Sequence, residues 1–393
     1  MTLLAVADAQ ARLLAMARPV SAETVALREA AGRWASGDVT ALRTQPAADL
    51  SAMDGYAIRY ADLPGPFARI GESAAGHPFS GQVGPMQAVR IFTGAALPAG
   101  SDAVMVQEEV SVDGAVISLI GEGPRRIGGN VRRQGLDFRA GDIVIARGER
   151  LTPARIAVAA SAGHGVLAVN RRVRIAIVAT GDELVPPGAT TDGLALPETN
   201  GVMLTSLLAD LPVDIVDLGI IPDDLDVLTS AFRQVDADIL VTTGGASVGD
   251  HDLVRPALIA AGGAIDFWRI ALRPGKPMMA GTLDQTVVLG LPGNPVSAFV
   301  TAQLFLRPLI AAMAGAASPL PQHLSATLAE PLAANDHRQD YLRARVVDGH
   351  VTVSAIQDSS MLLTLARANC LLVRAPGAPP AKTGDNVEII PLA

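Results

Sequence analysis

The sequence predicts a multidomain α/β chain, and three stretches carry that expectation. Between Arg174 and about residue 313, apolar runs without polar alternation are separated by helical segments. That grammar belongs to a mostly parallel sheet covered on both faces. From about 44 to 142 the texture changes to short alternating runs split by Gly and Pro, such as AVRIFTG, DAVMVQEEV and GDIVIARG. These read as a β-rich unit with tight turns. After Ala317–Ser318–Pro319 short β-runs return as far as VEIIPLA, giving a small C-terminal β-unit.

The bulk numbers bound the rest. A chain of 393 residues leaves room for roughly two to four domains. With 49% apolar and 18% charged residues it is globular rather than disordered. A net charge of −8, with basic residues only in short pairs such as Arg132–Arg133 and Arg171–Arg172, argues against nucleic acid as a main partner. The single cysteine, Cys370, excludes an intrachain disulfide and a multi-cysteine metal site; its setting, NCLLVRA, predicts an inert buried thiol. The histidines show no zinc spacing. Asp8 and Arg12 interrupt the N-terminal apolar run, and no run approaches the ~18–20 apolar residues of a membrane span. The expectation is a soluble, cytoplasmic protein with no membrane partner.

In chain order, residues 3–17 carry Leu and Ala at helical spacing, and Ser21–Glu23 opens a turn or a strand. Two acid-bearing loops follow. SAMDGYAI (51–58) sets Asp54 beside Gly55, and NVRRQGLDFRAGD (130–142) sets Asp137 among arginines. On spacing alone Asp54–Gly55 reads as a hairpin turn, and Asp137 as a surface partner of Arg132 or Arg139. Between them Thr93 and Gly94 follow a strand. Thr152–Pro153 opens a helix that runs to Gly163.

The α/β stretch repeats one pattern: apolar strand, polar turn, helix. Its turns TGDE, IPDD, TGGASVGDHD and LPGNP all follow strands, so they converge on one rim, where open α/β sheets bind ligands. In TGGASVGDHD, Gly244, Gly245 and Gly249 let backbone approach a ligand, Thr242, Thr243 and Ser247 supply hydroxyls, and the following helix start suits an anion. Asp250 and Asp252 would repel a phosphate unless a divalent cation lay between. Two readings stand: a phosphate-bearing ligand held with Mg²⁺, or a helix start capped by Asp250. In WRIALRPGKPMMAG, Arg269, Arg273 and Lys276 surround two prolines and a glycine, as an oxyanion site or as an ordinary basic turn.

Seven segments, SAMDGYA, FTGAALPAGSDAV, NVRRQGLDFRAGD, TGDELVPPG, TGGASVGDHD, RPGKPMMAG and LPGNPVSAFV, span most of the chain in a fixed order. In that order the chain closely resembles the molybdopterin molybdenumtransferases, the MoeA family, which includes the E domain of gephyrin. The resemblance implies four domains: a helical, mixed domain I from 1–43 and 143–172; a β-rich domain II at 44–142; a three-layer α/β molybdopterin-binding domain III at 173–316; and a β-barrel-like domain IV at 317–393. It implies an elongated homodimer whose active cleft lies between domain III of one subunit and domains II and IV of the other. The implied reaction takes adenylylated molybdopterin and molybdate to molybdenum cofactor and AMP, with Mg²⁺ required. The adenylyltransferase and recipient molybdoenzymes are the implied protein partners.

By the same resemblance the functional acids fall on Asp54, Asp137, Glu183, Asp223 and Asp252, and the threonine of the TG pair on Thr93. Asp252 and Glu183 would organise Mg²⁺ and pyrophosphate beside Gly244, Gly245 and Ser247. Arg269, Arg273, Lys276, Pro292, Pro295 and Ser297 would handle the anionic substrate, with Arg273, Lys276 and Ser297 suited to molybdate. Asp54 and Asp137 would reach across the dimer cleft to metal insertion or hydrolysis. Arg269 and Arg273 stand where relatives usually carry lysine, which keeps charge but changes donor geometry. A family serine falls near Leu363–Thr364. The alternatives are a molybdopterin adenylyltransferase, which would not need Asp54 and Asp137, and a non-catalytic cofactor-binding scaffold.

Overall fold

The computed structural model describes residues 3–190, 193–244 and 253–392. At its centre is a six-stranded sheet in the order Val213–Ile221, Val173–Thr180, Ile239–Thr243, Thr286–Leu291, Met279–Leu283, Ala264–Trp268. The first four strands run parallel and the last two are antiparallel additions. Alternate residues serve opposite faces. Ile175, Ile177, Val241 and Leu289 join a core with Leu204, Leu208, Val300 and Leu304. Ala176, Val178, Leu240 and Val288 join another with Leu228, Phe232 and Leu258. Helices on both faces explain the apolar runs without alternation.

The apolar stretch after LPGNP forms one long helical run, Pro295–Met313. Its 19 residues are long and apolar enough to cross a membrane, contrary to the reading that no run approaches that length, but 78% of it is buried inside the protein as a core helix. Pro308 lacks an N–H for the Leu304 carbonyl one turn earlier. The run widens to a π turn over Ala302–Leu306. The freed Leu304 carbonyl accepts from the Gln10 side-chain amide (2.9 Å). Gln10 lies on the first helix, Val6–Met16, whose buried Val6, Ala9 and Leu13 share the core that holds Leu309, Ile310 and Met313.

The segments after that helix pair with chain far downstream. Ala22–Ala26 runs antiparallel to Val166–Asn170, and Val39–Thr40 to Ile143–Ile145. Ala30, Ala35, Val39, Ile145, Leu151, Ala159 and Leu167 fill the small core between them. The helix Pro153–Ser161 is capped by Thr152, whose hydroxyl accepts from the Arg155 N–H. Between these pieces, Ala103–Val106, Gly55–Ile58, Gln87–Ile91, Phe67–Ser73, Val116–Leu119 and Val110–Asp113 form the second six-stranded sheet. At the C-terminal end, Gln339–Val347, His350–Val353, Leu324–Leu328, Asn386–Pro391 and Cys370–Arg374 pair in turn, and the last returns to the first, closing a barrel. Cys370 is fully buried there, and burial raises its thiol to about 11.

Asp210 ties the layers together. It accepts two bonds from the Arg307 guanidinium (2.7 and 2.9 Å), and Arg150 lies 3.5 Å away. The Arg307 bonds, ahead of the charges of Arg307 and Arg150, hold its carboxyl below the usual range. With the folded value depressed, the stabilisation is present above the ordinary carboxylate value near ~4 and is lost as pH falls through the folded one. Asp210→Asn should therefore lower stability at pH 7 by up to about 1 kcal/mol, the pair being half exposed. Denaturant melts of both proteins should converge in acid.

Candidate active site

A cleft of about 600 Å³ opens beyond the C-terminal ends of the three central parallel strands. Thr180 ends the first strand, Thr243 and Gly244 the second, and Pro292 to Pro295 follow the third. Val173–Thr180, the earliest of these strands in sequence, lies between Val213–Ile221 and Ile239–Thr243, so the cleft opens where the winding reverses direction. Gly244 holds φ +88°, and a Cβ there would fall 2.5 Å from the Thr180 carbonyl oxygen. Only glycine lets the two strand ends lie this close. A separate cavity of about 340 Å³ lies at the opposite strand ends, lined by Arg171, Arg174, Asp236 and Asp238. Those charges are already paired: Arg171 with Asp238 through two bonds, Arg174 with Asp236.

The TGDE turn starts with Gly181 at φ +146° and leads into a small flap. Leu184–Val185 pairs in parallel with Leu196–Pro197, fixed by Leu196 N–H on the Glu183 carbonyl (2.7 Å) and Glu198 N–H on that of Val185 (2.8 Å). The flap sets the exposed Glu183 and the buried Glu198 on walls of one cleft. Glu198 Oε1 accepts from Gly201 N–H (2.8 Å), satisfying a free donor at the start of the helix Asn200–Leu207. From the IPDD turn, Asp224 caps the next helix. Asp223, half-buried, donates its N–H to Asp182 Oδ1 (3.1 Å) and so adjoins the TGDE turn without lining the cleft.

The basic turn splits into different jobs. Arg269 adopts φ +102°, rare for a residue with a side chain, and its carbonyl accepts from Leu4 N–H (3.3 Å). Leu272–Arg273 pairs in parallel with Gln339–Asp340 of the barrel. The Arg273 guanidinium bonds Asp336 and lies 3.4 Å from Asp340. Burial pushes the Asp340 carboxyl up, against the Arg273 charge. Lys276 is exposed and makes no ion pair among the described residues. Gly275 packs on the helix, its would-be Cβ 2.6 Å from Thr301 Cγ2, and brings Pro277 to the cleft beside Ser297. Arg273→Ala should destabilise the protein by about 2–4 kcal/mol, because it leaves Asp340, 6% exposed, short of its cation. Lys276→Ala should leave stability unchanged, so urea melts separate the structural arginine from the exposed lysine.

A barrel loop closes the far side. Ser360 lines the cleft, and Asp358 Oδ1 accepts from its N–H and hydroxyl (2.8 and 2.6 Å). Asn294 Nδ2 donates to Ser359 Oγ (3.1 Å), and Val296 N–H to the Ser359 carbonyl (3.2 Å), bolting this loop to LPGNP. Thr364 sits half-buried on the helix Leu362–Arg367.

In the second six-stranded sheet, Asp54 and Thr93 come together. Asp54 Oδ1 accepts from the Thr93 N–H and hydroxyl, both at 2.7 Å. The backbone bond, then the hydroxyl and the Arg90 charge, hold its carboxyl below the usual range. Asp54–Gly55 is not a hairpin turn: Leu50–Ser51 pairs with Val131–Arg132, while Gly55–Ile58 crosses to two other strands. Gly55 allows that crossing, since a Cβ would meet the Met105 carbonyl oxygen at 1.8 Å. Asp137 is exposed, donates its N–H to the Gln45 carbonyl (3.0 Å), and makes no ion pair with Arg132 or Arg139. Among the described residues, none of 44–142 lines the strand-end cleft of the same chain.

The structure thus gathers Glu183, Gly244, Pro292, Pro295 and Ser297 in one cleft and pairs Asp54 with Thr93 elsewhere. Gly245, Ser247, Asp250 and Asp252 lie outside the described residues. Glu198, Asn200 and Ser360 line the cleft as well, with Thr180 at the strand end; the run Glu-Thr-Asn opening a helix was the available signal. Among the described residues no three His, Cys, Asp or Glu side chains converge on a metal. Mg²⁺ completes its shell with water and substrate phosphates and needs only one or two carboxylates, so the oxygen donors Glu183 and Glu198 fit it.

Comparison with known proteins agrees with this architecture from end to end. Residues 4–163 match the MoeA N-terminal region (domain I and II), 176–312 a probable molybdopterin binding domain, and 325–392 the MoeA C-terminal region (domain IV). The molybdopterin molybdenumtransferase of Haemophilus influenzae is 35% identical over 95% of this chain and 94% of its own. Molybdopterin molybdenumtransferase 2 of Mycobacterium tuberculosis is 34% identical, over 92% of each chain. The crystal structure of the molybdopterin biosynthesis moeA protein from Pyrococcus horikoshii superposes over 100% of both chains with a TM-score of 0.85 at 26% identity. With relatives this similar over nearly the whole length and the four-part fold in place, the chain belongs to the MoeA family.

Proposed function

We propose that this protein inserts molybdenum from molybdate into adenylylated molybdopterin and releases AMP, the final step of molybdenum cofactor synthesis. The carrying observation is the strand-end cleft, where the TGDE, TGG and LPGNP turns meet a lysine-bearing turn and a barrel loop. The whole-length likeness to relatives named for that activity supports the same reading over a single-domain adenylyltransferase or a scaffold.

Glu183, with Asp252, would hold Mg²⁺, which when bound neutralises charge on the pyrophosphate. Gly244, Gly245 and Ser247 would contact the phosphate. Lys276 and Ser297 hold molybdate, while Arg273 acts mainly by locking the turn to the barrel. Arg269 shapes the same turn, and Asp223 positions TGDE through Asp182. Asp54, oriented by Thr93, and Asp137 come from a second subunit of a homodimer and complete the cleft. The proposed domain limits are 1–43 with 143–172, 44–142, 173–316 and 317–393, and the proposed location is the cytoplasm. The adenylyltransferase and recipient molybdoenzymes remain the proposed protein partners.

The test supplies adenylylated molybdopterin, molybdate and Mg²⁺, and measures AMP release with reconstitution of an apo-molybdoenzyme. AMP release that needs both molybdate and Mg²⁺, with active molybdoenzyme formed, supports the proposal. Adenylylation of molybdopterin from ATP instead would replace it with the adenylyltransferase reading.

A further inference from the structure

We propose that Arg90 is a positioning residue for Asp54: its guanidinium, in contact with the Tyr56 and Phe92 rings, fixes the loops that present Asp54 and Thr93. The inference rests on the function proposed above and deepens the part played there by the second sheet. Arg90 lies on Gln87–Ile91, directly opposite Tyr56 of Gly55–Ile58. Its guanidinium carbon is 5.2 Å from the centre of the Tyr56 ring and 4.8 Å from that of Phe92. Both distances fall within the ~6 Å reach of a cation–π contact. Phe92 immediately precedes Thr93, and Tyr56 follows Asp54 by two positions. One cation therefore touches both arms that carry the pair.

The hydrogen bonds bracket the same acid. Arg90 Nη1 donates to the Gly55 carbonyl (3.1 Å) and Nη2 to Gln107 Oε1 (2.6 Å). The Gln107 side-chain nitrogen donates to Glu108 Oε1 (3.1 Å), which turns its amide oxygen toward Arg90, and the Gln107 N–H donates to the Asp54 carbonyl (3.0 Å). Two successive carbonyls, those of Asp54 and Gly55, are thus held by Arg90, one through Gln107 and one directly. No carboxylate takes up the charge. Glu72 lies opposite Arg90 on the other neighbouring strand but bonds Arg69 (3.1 Å), and Arg90 makes no ion pair among the described residues. Its charge stays available to Asp54, where it adds to the two Thr93 bonds in holding the carboxyl below its usual range. Lysine would keep that charge but has neither the planar face that stacks on rings nor the fork that serves two acceptors at once.

The full-length protein, Arg90→Lys and Arg90→Met would each be compared with and without Asp54→Asn. Steady-state AMP release gives kcat and KM, and hydrogen exchange without substrate gives the protection of the Thr93 amide. Arg90→Lys should lower kcat about tenfold and Arg90→Met up to ~10²-fold, with KM for adenylylated molybdopterin within about threefold. In the Asp54→Asn background neither should cost more than about twofold, because the group that Arg90 positions is already gone. Exchange at Thr93 should speed up about tenfold with little change in the thermal melt. Arg90→Lys keeps charge and bulk, so it remains informative should Arg90→Met fail to fold. Full kcat with unchanged Thr93 exchange in Arg90→Lys, or equal losses with and without Asp54, overturns the positioning role. Wild-type protein that releases no AMP, beside Thr93 exchange that responds to Arg90→Lys, would overturn the proposed function while supporting the hold of Arg90 on the loop.

Discussion

Asp54→Asn should lower cofactor formation by at least ~10²-fold while leaving the fold intact. The half-buried side chain lies just before the strand Gly55–Ile58, and its Oδ1 accepts both bonds from Thr93. Asparagine keeps an acceptor of the same shape at that position, so the loop geometry survives and only the negative charge goes. The Thr93 bonds hold the Asp54 carboxyl below its usual range. It therefore stays ionised down to acid pH, and its titration should not appear in a rate profile measured from pH 5 to 9. A rate that climbs through that window with a carboxylate-like inflection at Asp54, abolished in the asparagine variant, would contradict the assignment. Circular dichroism and thermal melts should be superimposable with those of the unaltered protein.

Gly244→Ala is the second large effect expected. Two penalties fall on one methyl group. The residue holds φ +88°, where a side chain costs on the order of 1–2 kcal/mol, and the new Cβ would lie 2.5 Å from the Thr180 backbone oxygen. Backbone on both sides leaves no flexible side chain to yield, so the strand ends must part. The cleft between the TGDE and TGG turns then changes shape, and ligand affinity should fall by about 10²-fold, beyond the loss of stability. Calorimetry with molybdopterin, paired with a urea melt, distinguishes a reshaped cleft from general unfolding. Affinity within a few-fold of wild type would show that the close approach of Gly244 to Thr180 is not what forms the site.

Much of this was readable in the chain because glycine, proline and aspartate punctuate the strand ends. The positions of TGDE, TGG and LPGNP after apolar runs were enough to place them on one rim. Asp54 and Thr93 stood out separately, but their contact spans 39 positions and depends on Gly55 slipping under Met105. Local spacing suggested a hairpin because it carries no information about Leu50–Ser51 pairing with Val131–Arg132. The basic turn misled in a similar way. Arg273 has the composition of an anion ligand, yet its partners Asp336 and Asp340 arrive from the barrel more than sixty positions later. Asn200 escaped notice because an asparagine at a helix start is ordinary until its oxygen is found buried and unpaired. Gln10 on the Leu304 carbonyl belongs to the same class, a repair for Pro308 that no spacing rule encodes.

The proposed homodimer builds the working cleft from two chains: among the described residues, none of 44–142 lines the strand-end cleft of its own chain. Differently tagged Asp54→Asn and Gly244→Ala chains, co-expressed and purified as the heterodimer, test it directly. In a shared cleft one of the two sites then combines an intact Asp54 with an intact Gly244, so about half of the wild-type AMP release per dimer should return. Each homodimeric variant alone should stay near background. A heterodimer as inactive as both parents, or a protein that remains monomeric at micromolar concentration, would contradict the account.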